Sequence, residues 1–534
     1  MSPEPREVDA VVVGAGLAGL YMLHKLRQMH LTVQVVEAGD GVGGTWYWNR
    51  YPGARCDIES LEYSYGFDED LQQEWEWSER YAPQPEILAY ANHVADRFDL
   101  RGDIHFGTRV TAATFDEAAT TWDVRTDQGH ALRARFLIMA TGCLSATNTP
   151  DIPGAATFEG RTFHTGTWPH DEVDFTGERV GVIGTGSSAV QSIPVIAAQA
   201  AALTVFQRTP PFTVPAWNQP LDAEAVREVK AEYAAFRAAN RQMSSAFGAR
   251  MPRADTSALA VSDEERCAEF ERRWANGGLG FLGAYTDLLL DKAANDRAAD
   301  FVREKLAETV DDPETARRLT PDQVVGCKRL CVDSGYWATF NQRHVHLVDL
   351  RETPIEAITP HGIRTTAGEH RLDSIIYATG FDAMTGALLR IDVRGRHGCT
   401  LQDEWAAGPR TYLGLTVAGF PNLFTITGPG SPSVLTNMLV SIQQHVEWIA
   451  DCIGHLDAHG HATIEANREA QDHWVDYVNG VAGFTLFPTC NSWYLGANVP
   501  GKTRVFMPLP GFPTYVEQCE RVVDEGYSGF ALGA

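Results

Sequence analysis

A glycine-rich turn between an apolar strand and a helix strongly limits what this sequence can fold into. The segment VDAVVVGAGLAGLYMLHKL carries Gly14, Gly16 and Gly19 in the spacing GxGxxG. The first glycine allows the tight turn, the second lets the backbone approach a pyrophosphate, and the third lets helix and strand pack closely. The next apolar strand ends at Glu37, whose carboxylate can accept a hydrogen bond from a ribose hydroxyl. The sequence therefore predicts a dinucleotide-binding unit here.

A second motif of the same kind follows later in the chain. The segment GERVGVIGTGSSAVQ places Gly184, Gly186 and Ala189 in the spacing GxGxxA. Its next strand, LTVFQRTP, carries Arg208 and Thr209 where the first unit has an acid. An acid would repel the 2′-phosphate of NADP, whereas arginine and a hydroxyl would bind it. This unit is predicted to prefer NADP(H), with a solvated arginine at the strand end as the alternative.

Two such units in one chain indicate a flavoprotein in which one unit binds FAD and the other delivers hydride from NADPH. Two apolar strands that end in small-residue turns, at Ile138–Gly142 and Ile375–Asp382, indicate where the chain leaves and re-enters the first unit. Ordinary strand turns are the alternative interpretation. The predicted fold is α/β, with two Rossmann-like dinucleotide-binding domains, the NADP domain inserted in the FAD domain, and a helical insert.

The helical insert is predicted from residues 222–306, which are rich in Ala, Glu and Arg with helical spacing of apolar positions. A long helix is predicted to begin near Asn437, after a glycine-proline loop. The predicted segments are FAD-binding 1–142, NADP-binding 143–216, helical insert 217–324, NADP-binding 325–374 and FAD-binding 375–534.

Composition restricts the partners and the location. The net charge of −25 argues against nucleic acid and anionic membranes. The longest apolar run near the start, Ala10–Leu23, contains three glycines and is shorter than a membrane span. The nine cysteines contain no CxxC pair, so we expect reduced thiols in a cytoplasmic protein.

Two segments carry residues suited to flavin chemistry. The loop GGTWYWNRYPGARCDIES has aromatic residues, among them Trp46, that could pack on a flat isoalloxazine with help from Tyr63; aromatic core packing is the alternative. The segment GCKRLCVDSGYW holds the cations Lys328 and Arg329. A flavin that reacts with dioxygen forms an anionic peroxide, which needs a fixed cation in a water-poor pocket. Arginine stays charged near neutral pH, and Asp57 could orient it. A solvated surface pair is the alternative.

These residues resemble the type I Baeyer–Villiger monooxygenases over nearly the whole chain. The stretch FEGRTFHTGTWP matches the long fingerprint of that family at Phe158, Gly160, His164, Trp168 and Pro169. The segment GGTWYWNRYPGARCD and the C-terminal CNSWYLGANVPGKTRVF are also similar. The resemblance looks closest to the phenylacetone, steroid and cyclohexanone monooxygenases.

The resemblance implies a set of cofactor-binding residues. Those implied for FAD are Gly14, Gly16, Gly19, Glu37, Trp46, Asp57, Tyr63 and Val110. Further residues are implied as cofactor contacts without a choice between the two cofactors, namely Thr45, Arg55, Cys56, Arg329 and Met438. Those implied for NADP(H) are Gly184, Thr185, Gly186, Ser187, Ser188, Gln191, Arg208, Thr209, Lys328 and Trp493, the last in a loop that folds over NADP.

The resemblance also implies residue roles in the reaction. Arg329 corresponds to the active-site arginine beside the flavin and Asp57 to the carboxylate that positions it. The implied substrate residues are Leu144, Ser433, Val434 and Leu435. His164 corresponds to a histidine on the hinge between the domains; a packed interdomain loop without motion is the alternative for this fingerprint stretch.

The resulting prediction is a monooxygenase that uses NADPH, FAD and dioxygen to convert aryl-aliphatic, cyclic or steroidal ketones to esters or lactones through a flavin peroxide, and that also oxidises sulfides. A flavin monooxygenase of amines or sulfides and a flavin- and NADP-binding redox sensor without turnover are the alternatives. A pyridine nucleotide–disulfide reductase would need a redox cysteine pair, and only Cys56 lies in the relevant loop. No metal is predicted, and the protein is expected to be a monomer or weak oligomer.

Overall fold

The computed structural model describes residues 5–533 of the chain and forms two nucleotide-binding units with a helical insert. The strands in this range are β1 (Arg6–Val13), β2 (Val33–Val36), β3 (Ile104–His105), β4 (Val110–Asp116), β5 (Thr121–Thr126), β6 (Ala131–Met139), β7 (Arg161–His164), β8 (Arg179–Ile183), β9 (Ala202–Gln207), β10 (Thr213–Pro215), β11 (Cys331–Asp333), β12 (Val345–Asp349), β13 (Ile355–Thr359), β14 (Gly362–Thr365), β15 (Gly368–Arg371), β16 (Ser374–Tyr377), β17 (Asp392–Arg394), β18 (Leu423–Thr425), β19 (Thr463–Ala466) and β20 (Phe530–Gly533).

Helices alternate with these strands along much of the chain. In the described range they are α1 (Leu17–Gln28), α2 (Thr45–Trp48), α3 (Glu69–Glu74), α4 (Gln84–Arg97), α5 (Ser187–Ala197), α6 (Ala223–Ala231), α7 (Tyr233–Arg241), α8 (Asp263–Asn276), α9 (Lys292–Thr309), α10 (Pro313–Leu319), α11 (Tyr336–Thr339), α12 (Gly386–Leu389), α13 (Leu401–Glu404), α14 (Met438–His459), α15 (Arg468–Gly483) and α16 (Phe512–Asp524).

The first unit is built on an eight-stranded mixed sheet. Its strand order is β17-β4-β5-β6-β1-β2-β3, and β18 also pairs with β6. Strands β2 and β6 run parallel to β1 on either side, whereas β4, β5 and β6 form an antiparallel meander. The residues VQVV of β2 are all buried, as expected for a strand covered on both faces.

The second unit is built on a parallel five-stranded sheet in the order β12-β9-β8-β16-β7. These strands all lie between β6 and β17 in the chain, so the second unit is inserted in the first, as predicted. Strand β16 pairs with β7 and β8 of the second sheet. The boundary predicted at 374/375 therefore has to lie beyond Tyr377, because strand pairing rather than sequence order decides which unit β16 joins. The remaining division into domains stays a proposal, and residues 1–4 and 534 of its end segments lie outside the described residues.

The helical insert leaves and rejoins the second unit at one place. Helices α6 to α10 lie between β10 and β11, which pair in parallel with each other. Helix α8 begins with a capping box in which Ser262 and Glu265 each accept a hydrogen bond from the other's backbone N–H. Because β11 begins at Cys331, its pairing with β10 fixes the preceding residues Lys328 and Arg329 at the base of the insert.

Helix α14 and the remaining apolar segments complete the first unit. The helix begins at Met438, next to the predicted start, and Asn437 caps it by accepting a hydrogen bond from the Leu439 N–H at 3.2 Å. Helix α14 packs on α1 and on α16. Within residues 5–533, no helix combines the length and the hydropathy that crossing a bilayer would require.

The cysteines differ from the sequence prediction at one pair. Cys327 and Cys490 form a disulfide with a Cα–Cα distance of 6.2 Å, so the expectation of nine reduced thiols is wrong for these two. This pairing could not be predicted from the sequence, because 163 residues separate the cysteines and only the fold brings them together. The other seven are free thiols, among them Cys56 and Cys331.

Candidate active site

The first glycine turn has the geometry that dinucleotide binding needs. Gly14 has a φ of +105°, and a Cβ there would lie 2.6 Å from the carbonyl oxygen of Ala140. A Cβ on Gly19 would overlap the Gly14 carbonyl, so only glycine lets α1 approach the turn. The loop GGTWYWNRYPGARCDIES, called the aromatic loop below, packs against this turn, since a Cβ on Gly16 would lie 3.3 Å from Gly44.

The Glu37 carboxylate lies beside the same turn. Its oxygens accept hydrogen bonds from the N–H groups of Ala15 at 2.6 Å and Gly39 at 2.7 Å. Burial raises the pKa of Glu37, and these two N–H groups oppose that rise. The carboxylate keeps further acceptor capacity for the ribose hydroxyls of a dinucleotide. The N–H of Thr108 donates to the Glu37 carbonyl at 2.9 Å, which brings the segment before the buried residue Val110 to this edge of the sheet.

The aromatic loop places two predicted flavin contacts together. Trp46 and Tyr63 are buried, their rings pack edge to face at 5.9 Å, and the Trp46 Nε1–H donates to the Tyr63 hydroxyl at 3.1 Å. Thr45 is exposed at the start of α2, next to the turn residue Gly44. The buried Cys56 thiol accepts the N–H of Ile58 at 3.4 Å.

The second glycine turn differs from the first in the space around it. Gly184 has a φ of +110°, and a Cβ there would overlap the Ala378 carbonyl. At Gly186 a Cβ would meet no atom within 4 Å, so this glycine leaves open space rather than serving protein packing. Helix α5 begins at Ser187 beside that space, and its first N–H groups are suited to a phosphate. The residues around this turn fit a pyrophosphate group.

The other predicted residues of the second unit line this turn. The Thr185 hydroxyl donates to the Thr209 carbonyl at 2.9 Å. The hydroxyls of Ser188 and Thr165 lie 3.2 Å apart, and the Ser187 hydroxyl lies 3.5 Å from the Cys331 sulfur.

Two cations face each other at the end of β9. Arg208 directly follows this strand and is exposed, whereas Lys328 is half-buried at the base of the insert. Burial lowers the pKa of Lys328, and the positive charge of Arg208 lowers it further. A bound phosphate would relieve this repulsion, so the pair fits a 2′-phosphate better than a free ribose.

One glutamine joins the two nucleotide-binding units. The Gln191 side chain on α5 accepts a hydrogen bond from the Tyr51 hydroxyl at 2.8 Å and donates to the Arg55 carbonyl at 3.1 Å. The Arg55 guanidinium in turn pairs with Glu79 at 3.1 Å. The predicted NADP residue Gln191 therefore holds the aromatic loop of the first unit in place.

Arg329 and Asp57 form a bidentate ion pair between the units. The Arg329 Nε–H donates to Oδ2 of Asp57 at 2.5 Å and one terminal N–H donates to Oδ1 at 2.8 Å. The side chains are 22% and 20% exposed. Burial disfavours the cation, but the Asp57 carboxylate outweighs it and raises the pKa of Arg329 above its usual value. The site thus holds a permanent positive charge in a fixed orientation.

The second terminal nitrogen of Arg329 holds the predicted substrate loop. It donates to the Val434 carbonyl at 2.6 Å. Ser433 is buried with a φ of +43°, and its hydroxyl donates to the Thr427 carbonyl at 3.2 Å. Leu435, Leu144 and Met438 are half-buried and pack against the core of the first unit.

Tyr494 is a site residue that the sequence prediction missed. It is buried, its hydroxyl interacts with Arg329, and burial raises its pKa to about 12. The predicted NADP contact Trp493 is half-buried beside it, with ring centroids 4.3 Å apart. The signal was available, because Tyr494 follows Trp493 directly, but alternate residues of a short turn point to different sides and the sequence alone did not select one.

The fingerprint residues lie where the second unit meets the first. Trp168 is buried, stacks on Phe163 at 5.1 Å, and donates its N–H to the Trp48 carbonyl at 3.3 Å. His164 accepts the Gly166 N–H at 2.9 Å and lies 3.4 Å from the Thr379 hydroxyl. Burial lowers the pKa of His164, which favours the neutral ring.

The other fingerprint residues pack nearby and do not reach the ion pair. Phe158 packs in the small core under β13 and β14, Gly160 approaches the Asp373 carbonyl, and Pro169 is half-buried after Trp168.

A cavity of about 330 Å³ lies between Asp57 and the helical insert. Its wall includes Asp57, Phe247, Met251 and Leu279, together with the buried carboxylate of Glu62. The cavity thus lies beside the ion pair and is lined in part by apolar residues of the insert. Such a space suits a small organic molecule.

Comparison with known proteins identifies the family. A family model described as pyridine nucleotide-disulphide oxidoreductase matches residues 11–245. Over 528 residues the chain is 43% identical to the Baeyer-Villiger monooxygenase of Pseudooceanicola batsensis, with 98% of this chain and 96% of the relative covered. The chain belongs to the Baeyer–Villiger monooxygenases. The predicted family is therefore confirmed.

Two further matches bear on the reaction. The phenazine N-monooxygenase PhzNO1 of Lysobacter antibioticus is 42% identical over 529 residues, with 98% of this chain and 97% of the relative covered. A solved structure described as oxidized steroid monooxygenase bound to NADP is 54% identical, covers 99% of both chains and superposes with a TM-score of 0.94. This match supports the predicted two-unit fold along the whole chain.

Proposed function

We propose that this protein uses NADPH, FAD and dioxygen to convert ketones to esters or lactones. The observation that carries the proposal is the bidentate Arg329–Asp57 pair at the junction of the two nucleotide-binding units. A fixed cation at this junction is what an anionic oxidant and a polarised carbonyl require. The membership of the chain in the Baeyer–Villiger family supports the same reaction.

The two glycine turns fit the two cofactors. The turn at Gly14 with the Glu37 carboxylate suits FAD, whose ribose is free. The open space at Gly186 with the cations Arg208 and Lys328 suits NADP(H). When bound, these cofactors would supply hydride and activated oxygen, which no side chain of the protein can provide.

The protein's own residues hold charge and exclude water in this proposal. Arg329 stays protonated throughout, so it stabilises negative charge that develops on oxygen without giving up a proton. Asp57 holds the guanidinium in one direction, and the Val434 carbonyl accepts an N–H from its other terminal nitrogen. The buried rings of Trp46, Tyr63 and Tyr494 keep water from this junction.

The identity of the ketone remains a proposal within the aryl-aliphatic, cyclic and steroidal classes. The residues we propose for substrate contact are Leu144, Ser433, Val434 and Leu435, with the insert-side cavity as the adjoining space. The experiment is a ketone panel with purified protein, NADPH and ¹⁸O₂, read by mass spectrometry. We expect one ¹⁸O atom in an ester or lactone product. NADPH oxidation that ketones leave unchanged, with no labelled ester, would favour a redox sensor without turnover.

A second candidate reaction is oxygenation at nitrogen or sulfur. The identity of 42% with a protein named phenazine N-monooxygenase favours it. The same panel should therefore contain a heteroaromatic amine and a thioether beside the ketones. Labelled N-oxide without labelled ester would assign this second reaction, whereas labelled sulfoxide beside labelled ester agrees with the main proposal.

The proposal also includes a cytoplasmic location and a monomeric or weakly oligomeric state. Its support is the sequence prediction alone. Cell fractionation and size-exclusion chromatography with light scattering test these two parts directly.

A further inference from the structure

The disulfide between Cys327 and Cys490 lies next to the catalytic residues. Cys327 directly precedes Lys328 and Arg329, and Cys490 lies three residues before Trp493. The bond therefore joins the base of the helical insert to a distant C-terminal stretch. We call residues 486–502 the cover segment.

The cover segment is held to the rest of the protein by few backbone interactions. It contains only two short 3₁₀ turns, Phe487–Thr489 and Trp493–Leu495. Its first residue, Leu486, donates its N–H to the Leu289 carbonyl at 2.8 Å. Because its backbone makes few hydrogen bonds to the rest of the protein, its attachment depends on side chains such as the buried Phe487, Tyr494 and Leu495, and on the disulfide.

The half of the cover segment farther along the chain from Cys490, residues 495–502, is held by polar side chains. Asn498 donates to the Phe381 carbonyl at 2.5 Å, and Lys502 pairs with Asp382 at 2.5 Å. The near half, which carries Trp493 and Tyr494, includes the covalent link through Cys490. Loss of that link would therefore loosen the part of the segment that lies against Arg329.

The two sulfurs are suited to reversible oxidation. Cys490 is half-buried and lies outside the helices and strands, so its end of the bond lies nearer to solvent than Cys327, which is 1% exposed. The nearest other thiol in the chain, Cys331, is buried beside Ser187, and burial raises its pKa to about 11. Few Cys331 thiolates are available near neutral pH, so this residue competes weakly for the bond.

We propose that the Cys327–Cys490 pair is a thiol modification site whose oxidation holds the cover segment in place and lowers the dissociation constant for NADP. The inference rests on the proposed binding of NADP beside Lys328. Oxidation by a peroxide is balanced: the two thiols lose two hydrogens and two electrons to hydrogen peroxide, forming one S–S bond and two waters. A dithiol such as dithiothreitol reverses the bond by exchange and is itself oxidised to a cyclic disulfide.

The first test asks whether the bond forms. Protein treated with hydrogen peroxide and then freed of it is denatured and alkylated with one reagent, reduced, and alkylated with a second, before peptide mapping. We expect Cys327 and Cys490 to carry only the second label and the other seven cysteines the first. The first label on both Cys327 and Cys490 would overturn the inference.

The second test asks whether the bond changes the affinity of the protein for NADP⁺. Titration of NADP⁺ into the FAD-loaded protein gives a dissociation constant with and without dithiothreitol. We expect dithiothreitol to raise it about fivefold or more, and Cys490→Ser to show the raised value in both conditions. The exposed free cysteine Cys267 is the matched control, because Cys267→Ser should keep the response to dithiothreitol.

The outcomes separate the inference from the proposed function. An unchanged dissociation constant after reduction, in protein whose bond has been mapped, would overturn the inference and leave the proposed function intact. Protein that binds FAD but binds no NADP⁺ in either redox state would contradict the proposed function itself. If Cys490→Ser folds poorly, dithiothreitol-treated parent protein still tests loss of the bond, because its sequence is unchanged.

Discussion

At the scale of single residues, the site is organised by how each charge is balanced. Arg329 donates from Nε and from one terminal nitrogen to the two carboxylate oxygens of Asp57, so its charge is fixed in place. Arg208 and Lys328 instead repel each other, and burial adds to the strain on Lys328. The first arrangement suits a permanent catalytic charge, and the second suits a site that an anion completes.

The cofactor preference follows from this second arrangement. We expect Arg208→Ala to lower kcat/KM for NADPH by roughly 10-fold to 100-fold, because a charge-assisted contact with the 2′-phosphate is lost. The value for NADH should change little. Steady-state kinetics with both coenzymes measure this. Arg343→Ala is the control, since Arg343 is exposed and precedes β12, at the opposite end of the parallel β9–β12 pair from Arg208. An equal loss with NADPH and NADH would assign Arg208 a structural role.

The free energy of unfolding should depend on pH through the buried carboxyl group of Glu62. This side chain is 6% exposed and accepts the Gly248 N–H at 3.0 Å. Burial and then the charge of Glu59 raise its pKa from 4.5 to about 7. Between these values the folded protein holds a proton that the unfolded chain has released. The free energy of unfolding therefore falls as pH rises through that window.

Glu62→Gln removes this proton linkage. At pH 8 the variant should be more stable than the parent by roughly 1–3 kcal/mol, and the difference should shrink toward pH 5. Chemical denaturation across this pH range measures it. Glu86→Gln is the control, because Glu86 also accepts a backbone N–H, that of Ser78 at 2.8 Å, but is only half-buried. Parallel pH profiles for Glu62→Gln and the parent protein would refute the role given to Glu62.

At the scale of elements, the two glycine turns look alike in sequence but differ in why glycine is needed. The third glycine of the first turn, Gly19, has no room for a methyl group because the Gly14 carbonyl occupies it. The second glycine of the second turn, Gly186, has a φ of −76° and open space around it. Packing requires the one, and only a ligand would require the other.

Alanine at these two positions should separate folding from binding. We expect Gly186→Ala to keep its melting temperature and its FAD while the dissociation constant for NADP⁺ rises at least about tenfold. We expect Gly19→Ala to lose FAD and to melt at a lower temperature, since α1 has to move away from the turn. Flavin absorbance, calorimetry and NADP⁺ titration measure these effects. Undiminished NADP⁺ binding by Gly186→Ala would argue against a pyrophosphate at this turn.

The elements also show how far sequence reasoning reached. Both turns, the inserted second unit, the helices of the insert and the start of α14 were predictable, because each depends on local pattern and spacing. The Asp57 partner of Arg329 was predictable from charge. The Val434 carbonyl was not, since any residue type supplies a backbone acceptor. The sheet to which β16 belongs and the partner of Cys327 depend on long-range pairing, which leaves no mark on residue type.

At the scale of the whole molecule, the two nucleotide-binding units meet through a small number of specific contacts. Gln191 bonds to Tyr51 and Arg55, the Trp168 N–H reaches the Trp48 carbonyl, and Arg329 pairs with Asp57. In each case a residue of the second unit, or of the strand that leads from the insert, contacts the aromatic loop of the first. The Arg329–Asp57 ion pair is thus assembled only when both units are in place.

Arg329→Ala tests this account most directly, with labelled ester formed per NADPH consumed as the measurement. The variant should retain FAD and bind NADP⁺, because Arg329 lies outside both glycine turns. We expect its ester formation to fall by roughly 100-fold or more, since a fixed charge beside the reacting oxygen is lost. FAD-loaded Arg329→Ala that forms labelled ester at the rate of the parent protein would contradict the account.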